Sequence, residues 1–137
     1  MLTDSLDDFA QPLLSVRSSR EAAFVALEEF RNSGTWLSDV LDRLFRTASL
    51  PPRERGLATE LACGVVRRYA TIDAILGKLV ARPLDQVEAP LLTVLRLGIY
   101  QIFLLDGVPP HASVHETVEL TKRLGRMRWS GFVNGVL

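Results

Sequence analysis

Residues 88–107, EAPLLTVLRLGIYQIFLLDG, decide the fold. Pro90 falls where a helix tolerates proline, because the N–H it lacks in the first turn had no intrahelical partner. Nearly every face of the segment that follows is apolar, the pattern of a central helix enclosed by others rather than of a helix lying on a surface. The apolar runs around position 100 break off before about 18 residues, too short to span a bilayer. The segment is therefore expected to be a core helix, and its neighbours must supply the walls.

The flanking sequence reads as those walls. In SSREAAFVALEEFRNSG (18–34) Ser18 precedes Glu21 by three, a capping-box pattern; Ala23, Ala26, Leu27 and Phe30 recur at helical spacing, and Gly34 marks the stop. In TWLSDVLDRLFRTASL (35–50) Leu37, Val40, Leu41, Leu44 and Phe45 form one stripe, with Asp39, Asp42, Arg43 and Arg46 opposite. Pro51-Pro52 opens a third helix expected to reach about Tyr69, with Leu57, Leu61 and Val65 as its seam. Its Gly56 and Gly64 cost helix stability and are expected to admit a neighbouring backbone. Thr71 is expected to cap a fourth helix carrying Ile72, Ile75, Leu76 and Leu79 inward, with a break around Arg82-Pro83. Pro109-Pro110 start a sixth helix ending near Gly125, with Val114, Val118 and Leu120 on its buried side, and WSGFVNGVL (129–137) begins a seventh. No stretch alternates apolar and polar residues between hairpin turns, so the expected class is an all-α bundle of about seven helices.

With 137 residues and 47% hydrophobic side chains, the chain has the length of one domain with a real core. Residues 1–17 show no sustained period and read as a flexible leader, with Leu13, Leu14 and Val16 able to dock on the body formed by residues 18–137. The leader is acidic (Asp4, Asp7, Asp8) and lacks the cationic and apolar regions of a secretory signal, so a cytoplasmic protein is expected. The formal net charge is zero, yet from Arg17 onward sixteen bases face thirteen acids, and all the bases but Lys78 and Lys122 are arginines. Arginine suits bidentate phosphate contacts and stacking on bases, although a GC-rich genome produces the same bias.

Catalytic chemistry finds little support. His111 and His115 stand four apart with Glu116 and Glu119 nearby, but Ala112 occupies the place where the zinc-protease pattern has its glutamate, so no metal site is expected. Cys63, the single cysteine, is surrounded by Leu61, Ala62, Val65 and Val66 and reads as a buried, inert thiol. There is no nucleophile elbow and no glycine-rich phosphate loop in βα context, so no catalytic residue and no cofactor is expected in this chain. What remains is basic. Arg17 and Arg20 begin the first helix, Arg67 and Arg68 lie late in the third, and Lys122, Arg123, Arg126 and Arg128 put four bases in seven residues around Gly125. Bases in a last helical turn also complement the macrodipole, so phosphate binding and simple dipole compensation both remain open. If RNA is the ligand, Trp129 or Tyr69 is expected to offer a stacking face.

Three segments taken in order, RERGLATELACGVVRRYATIDAIL (53–76), LRLGIYQIFLLDGVPPHASVHETVELTK (95–122) and GFVNGVL (131–137), resemble the NusB-like superfamily. That superfamily includes the transcription antitermination factor NusB and the N-terminal domain of ribosomal-RNA cytosine-C5 methyltransferases of the RsmB (Sun) type. The resemblance covers about residues 18–137 and implies two small helical subdomains that bind RNA or a ribonucleoprotein partner without catalytic residues of their own. The wording of ELACGVVRRYATIDAIL, KLVARP and PPHASVHETVE is nearer to the methyltransferase domain. NusB itself is expected to open with an arginine-rich segment that grips boxA RNA, whereas only Arg17 and Arg20 match here. The resemblance thus implies an accessory domain that positions ribosomal RNA, with the helix at Leu137 running on toward a catalytic methyltransferase domain in cis. One rival is an antitermination factor that regulates transcription by binding boxA RNA with a small ribosomal protein. The other is a protein-interaction or dimerisation domain whose bases only solvate its surface.

Overall fold

Ser18 and Gly34 bracket the first helix as their chemistry dictates. In the computed structural model, which describes residues 16–137, α1 runs Ser19–Ser33. Ser18 is extended and its hydroxyl accepts from the Glu21 N–H at 3.2 Å. Glu21 answers one residue earlier than the reciprocal box requires, accepting from the Arg17 N–H at 3.1 Å. Gly34 takes the left-handed conformation (φ 71°), and its N–H closes onto the Phe30 carbonyl at 3.1 Å. Every residue from Glu21 to Glu28 is buried, whereas Phe30 is only half-buried. The single stripe read from the sequence is therefore too narrow. Ala22, Ala23 and Ala26 are small enough to let neighbours close in on several sides of α1, and Phe24 fills one that the stripe omits. Of the leader, Val16 is buried and Arg17 exposed, while Leu13 and Leu14 lie outside the described residues.

Helix α2 (Leu37–Thr47) buries Leu37, Val40, Leu41 and Leu44 and exposes Asp39, Asp42, Arg43 and Arg46, with Phe45 half-buried at the edge of the stripe. An Arg43–Glu29 ion pair ties it to α1. Helix α3 (Pro52–Arg67) buries Ala58, Leu61, Ala62 and Val65; Leu57 is half-buried. The two glycines of α3 behave differently from one another. A Cβ on Gly64 would sit 2.2 Å from Cζ of Tyr100, so the visitor there is a side-chain ring rather than a backbone. Gly56 has nothing within 4 Å of that position, and no close approach explains it.

A single residue, Arg68, separates α3 from α4 (Tyr69–Leu79). Thr71 therefore caps nothing; it lies inside the helix, exposed, and the Ile72 N–H bonds the Arg68 carbonyl at 2.9 Å. Ile72 and Leu76 point inward, Ile75 is half-buried and Leu79 is exposed. After Val80 the chain passes through a 3₁₀ turn (Leu84–Gln86) into α5 (Ala89–Ile99), which continues as a π-helical turn over Tyr100–Leu104. Helices α6 (Pro110–Arg123) and α7 (Met127–Val136) complete the chain. Among the described residues there are seven α-helices and no strand, the all-α class expected. No helix among them is long and apolar enough to cross a membrane.

The chain divides into two compact units, with the boundary between Cys63 and Gly64 inside α3. In the second unit α5 is the core helix the sequence announces: Leu91, Leu92, Val94, Leu95, Leu97 and Ile99 are all buried. The face that α6 buries was not foreseen. It consists of Ser113, Thr117, Leu120 and Thr121, while Val114 and Val118 are half-buried. The two threonine hydroxyls are satisfied within their own helix, Thr117 donating to the Ser113 carbonyl at 2.7 Å and Thr121 to the Val118 carbonyl at 2.6 Å, whereas the Ser113 hydroxyl is buried without a hydrogen-bond partner among the described residues. Small side chains suit the close approach at Gly98 of α5, where a Cβ would lie 3.2 Å from Cγ2 of Thr117.

Candidate nucleic-acid interface

Gly125 makes the corner between α6 and α7. Its φ of 73° lets the Gly125 N–H reach the Lys122 carbonyl (3.0 Å) and the Arg126 N–H reach the Thr121 carbonyl (2.9 Å), which closes α6 and starts α7 two residues later. The corner thereby gathers Lys122 and Arg123 from the last turn of α6 with Arg126 and Arg128 at the first turn of α7. Lys122, Arg123 and Arg128 are exposed and Arg126 is half-buried. Lys122 pairs with Glu119 at 3.3 Å, and Arg128 approaches Glu88 at 4.0 Å with both side chains mostly in water, where such pairs are weak.

The helix dipole separates the two halves of this corner. Lys122 and Arg123 sit at the negative end of α6, where cations are stabilised, so dipole compensation accounts for them. Arg126 and Arg128 sit at the positive end of α7, whose first turn carries no acid. There a cation costs about 0.3–1 kcal/mol, so dipole compensation does not account for these two arginines.

The other bases stand elsewhere. Arg17 and Arg20 belong to the start of α1 in the first unit, Arg17 exposed and Arg20 half-buried. Arg67 and Arg68 are exposed at the junction of α3 with α4. The four bases gathered at the Gly125 corner are neighbours in sequence.

Each expected stacking ring already carries an arginine. Trp129 is 4% exposed and carries Arg126 over its ring at 5.6 Å. Tyr69 is covered by the Arg96 guanidinium, 4.3 Å from the ring centre; Arg96 also donates to the Tyr69 hydroxyl at 2.9 Å and holds both oxygens of Asp73 at 2.8 and 2.9 Å. Among the described residues, the aromatics that face water most are Trp36, 78% exposed, and Phe103, 58% exposed. Trp36 could have been found from helical register, since it stands ahead of the α2 stripe at the N-cap position.

His111 and His115 are both exposed on α6, with Glu116 and Glu119 half-buried. No group of three or more His, Cys, Asp or Glu side chains among the described residues is arranged to hold a metal. Cys63 is half-buried rather than sealed in the core.

A helical domain, strand-free among the described residues and built on an apolar central helix with a basic interhelical corner, is the class these features define. The chain belongs to the NusB family, whose profile matches residues 17–137. It is 36% identical over 120 residues to the probable ribosomal RNA small subunit methyltransferase B of Synechocystis sp., a match covering 88% of this chain and 27% of that protein. It is 34% identical over 121 residues to the ribosomal RNA small subunit methyltransferase B of Escherichia coli, covering 88% of this chain and 28% of that one. The protein of the same name from Escherichia fergusonii is likewise 34% identical over 121 residues. The chain thus spans little more than a quarter of the length of these relatives and corresponds to their N-terminal part.

Proposed function

We propose that this chain is a non-catalytic RNA-binding module that acts as the N-terminal accessory domain of a ribosomal-RNA cytosine-C5 methyltransferase. The observation that carries the RNA part is the pair Arg126 and Arg128, placed at a helix end where the dipole opposes them. Together with Lys122 and Arg123 they form a short cationic ridge suited to phosphate oxygens. The similarity to methyltransferases of the small-subunit RNA supports ribosomal RNA as the ligand. The module's part is to hold the RNA backbone, which fixes position and orientation, while recognition follows RNA shape. Methyl transfer, its cofactor and its catalytic groups belong to the portion of such proteins that lies beyond this match.

Salt dependence tests the reading. Binding of a structured ribosomal-RNA fragment should weaken with salt, the logarithm of affinity falling with a slope of about −3 against the logarithm of salt if four phosphates are engaged at about 0.7 per contact. Arg126→Ala and Arg128→Ala should each reduce the slope by about 0.7. Failure of the wild-type chain to bind RNA at low salt would end the RNA reading.

A further inference from the structure

The far end of α5 carries a surface that RNA binding does not use. Residues 102–110, IFLLDGVPP, hold a single charge, Asp106. The inner side of the π turn is committed: Tyr100 and Gln101 are buried, Gln101 donates to the Leu97 carbonyl at 3.0 Å, and α6 packs against the turn. The outer side is not. Phe103, Pro109 and Pro110 are exposed, and Leu104, Leu105 and Val108 are half-buried. Apolar side chains left in water beside one another in sequence are candidates for an interaction site, and π turns recur at functional positions.

Two observations say what covers it. Leu137 packs on α5 at Gly98, where a Cβ would lie 2.6 Å from the Leu137 Cδ1. Gly98 is five residues before Phe103, about 7.5 Å of helix rise, so polypeptide continuing past residue 137 sets out beside the apolar end. The relatives do continue, since the match occupies only 27% and 28% of their length. The basic corner, meanwhile, lies at the other end of α6, whose 14 residues span about 21 Å. Phosphate binding and the apolar surface therefore sit at opposite ends of one helix.

We infer that the Phe103 end of α5 is the seat on which the polypeptide following residue 137 docks, an apolar intramolecular interface that orients the RNA-holding unit on the catalytic portion. The inference rests on the methyltransferase reading above. A covalent tether makes a small apolar patch sufficient, because tethering raises the local concentration of the docking surface without any added contact.

Hydrogen exchange tests it, comparing the 137-residue chain with the product of the complete reading frame. Amides of residues 102–108 should exchange at least tenfold more slowly in the longer protein, and Phe103→Glu should abolish that protection while the helical circular dichroism of the 137-residue chain stays unchanged. Equal exchange in the two proteins, or a reading frame that ends without a further domain, overturns the inference. So does protection that appears in the short chain with rising protein concentration, which assigns the surface to a second copy, or on adding RNA alone, which assigns it to nucleic acid. RNA affinity of Arg126→Ala is measured on the same samples, so a failure of RNA binding is read separately from a failure of docking.

Discussion

Helices α2 and α6 are both amphipathic in sequence, yet only α2 buries the side its apolar residues mark. On α2 the hydrophobic stripe is the buried face: Leu37, Val40, Leu41 and Leu44 go in and the four charges stay out. On α6 the valines stand half in water while Ser113, Thr117 and Thr121 are fully covered. The difference lies in the partner. Where a helix packs across ordinary side-chain depth, burying apolar area decides which way it turns. Where the partner presents a glycine, as α5 does at Gly98, a small side chain such as Thr117 can come close, and its hydroxyl is tolerated because it bonds the carbonyl of its own helix one turn back.

Substitutions sharpen this contrast. Leu41→Ala in α2 is expected to cost about 2–5 kcal/mol in a urea titration, the usual range for emptying a buried leucine site. Its counterpart on the apparent stripe of α6, Val118→Ala, should cost less than about 1 kcal/mol, because a half-buried valine has little area to lose. If the two losses came out equal, the reading of α6 as a helix packed on its hydroxyl face would break. Next in size is Gly64→Ala, which thrusts a methyl group into the ring of Tyr100 on the central helix; about 1–3 kcal/mol of destabilisation is expected from overpacking. Gly56→Ala in the same helix meets open space and should stabilise the chain slightly through better helix propensity, by no more than about 1 kcal/mol. The smallest effect is at the basic corner. Arg128→Glu removes a cation from the positive end of α7 and should raise the stability of the chain by about 0.3–1 kcal/mol while weakening RNA binding. Stability and affinity moving in opposite directions is the sign of a residue kept for its ligand.

Several features were legible without coordinates. The α1 termini follow from Ser18 and Gly34, whose side chain and backbone freedom act locally, and the apolar saturation of 91–99 announces a core helix wherever its neighbours lie. Thr71 shows how a local signal is overruled: a capping residue three positions beyond Arg68 is simply absorbed when the new helix starts at Tyr69. The π turn after Ile99 left no mark in the hydrophobic pattern, because an added residue in one turn shifts the facing of Phe103 without changing what is apolar. For the candidate site, the basic cluster at 122–128 could be read directly, being contiguous in sequence. The stacking faces could not, because whether an aromatic ring meets water depends on what lies over it. Arg96 lies over Tyr69 from 27 positions away in the chain.

The amino-acid sequence by itself determined the helical class, the end points of α1, the central place of α5 and the grouping of bases at the Gly125 corner. Each of these is set by interactions within a turn or two of helix, or by composition summed along one segment. Tertiary structure alone decided the division within α3, the hydroxyl face of α6, the ring seated at Gly64 and the exposure of Trp36 and Phe103. These depend on which surfaces come within a few ångströms of each other, and close packing rewards the shape of the pair rather than the polarity of either partner.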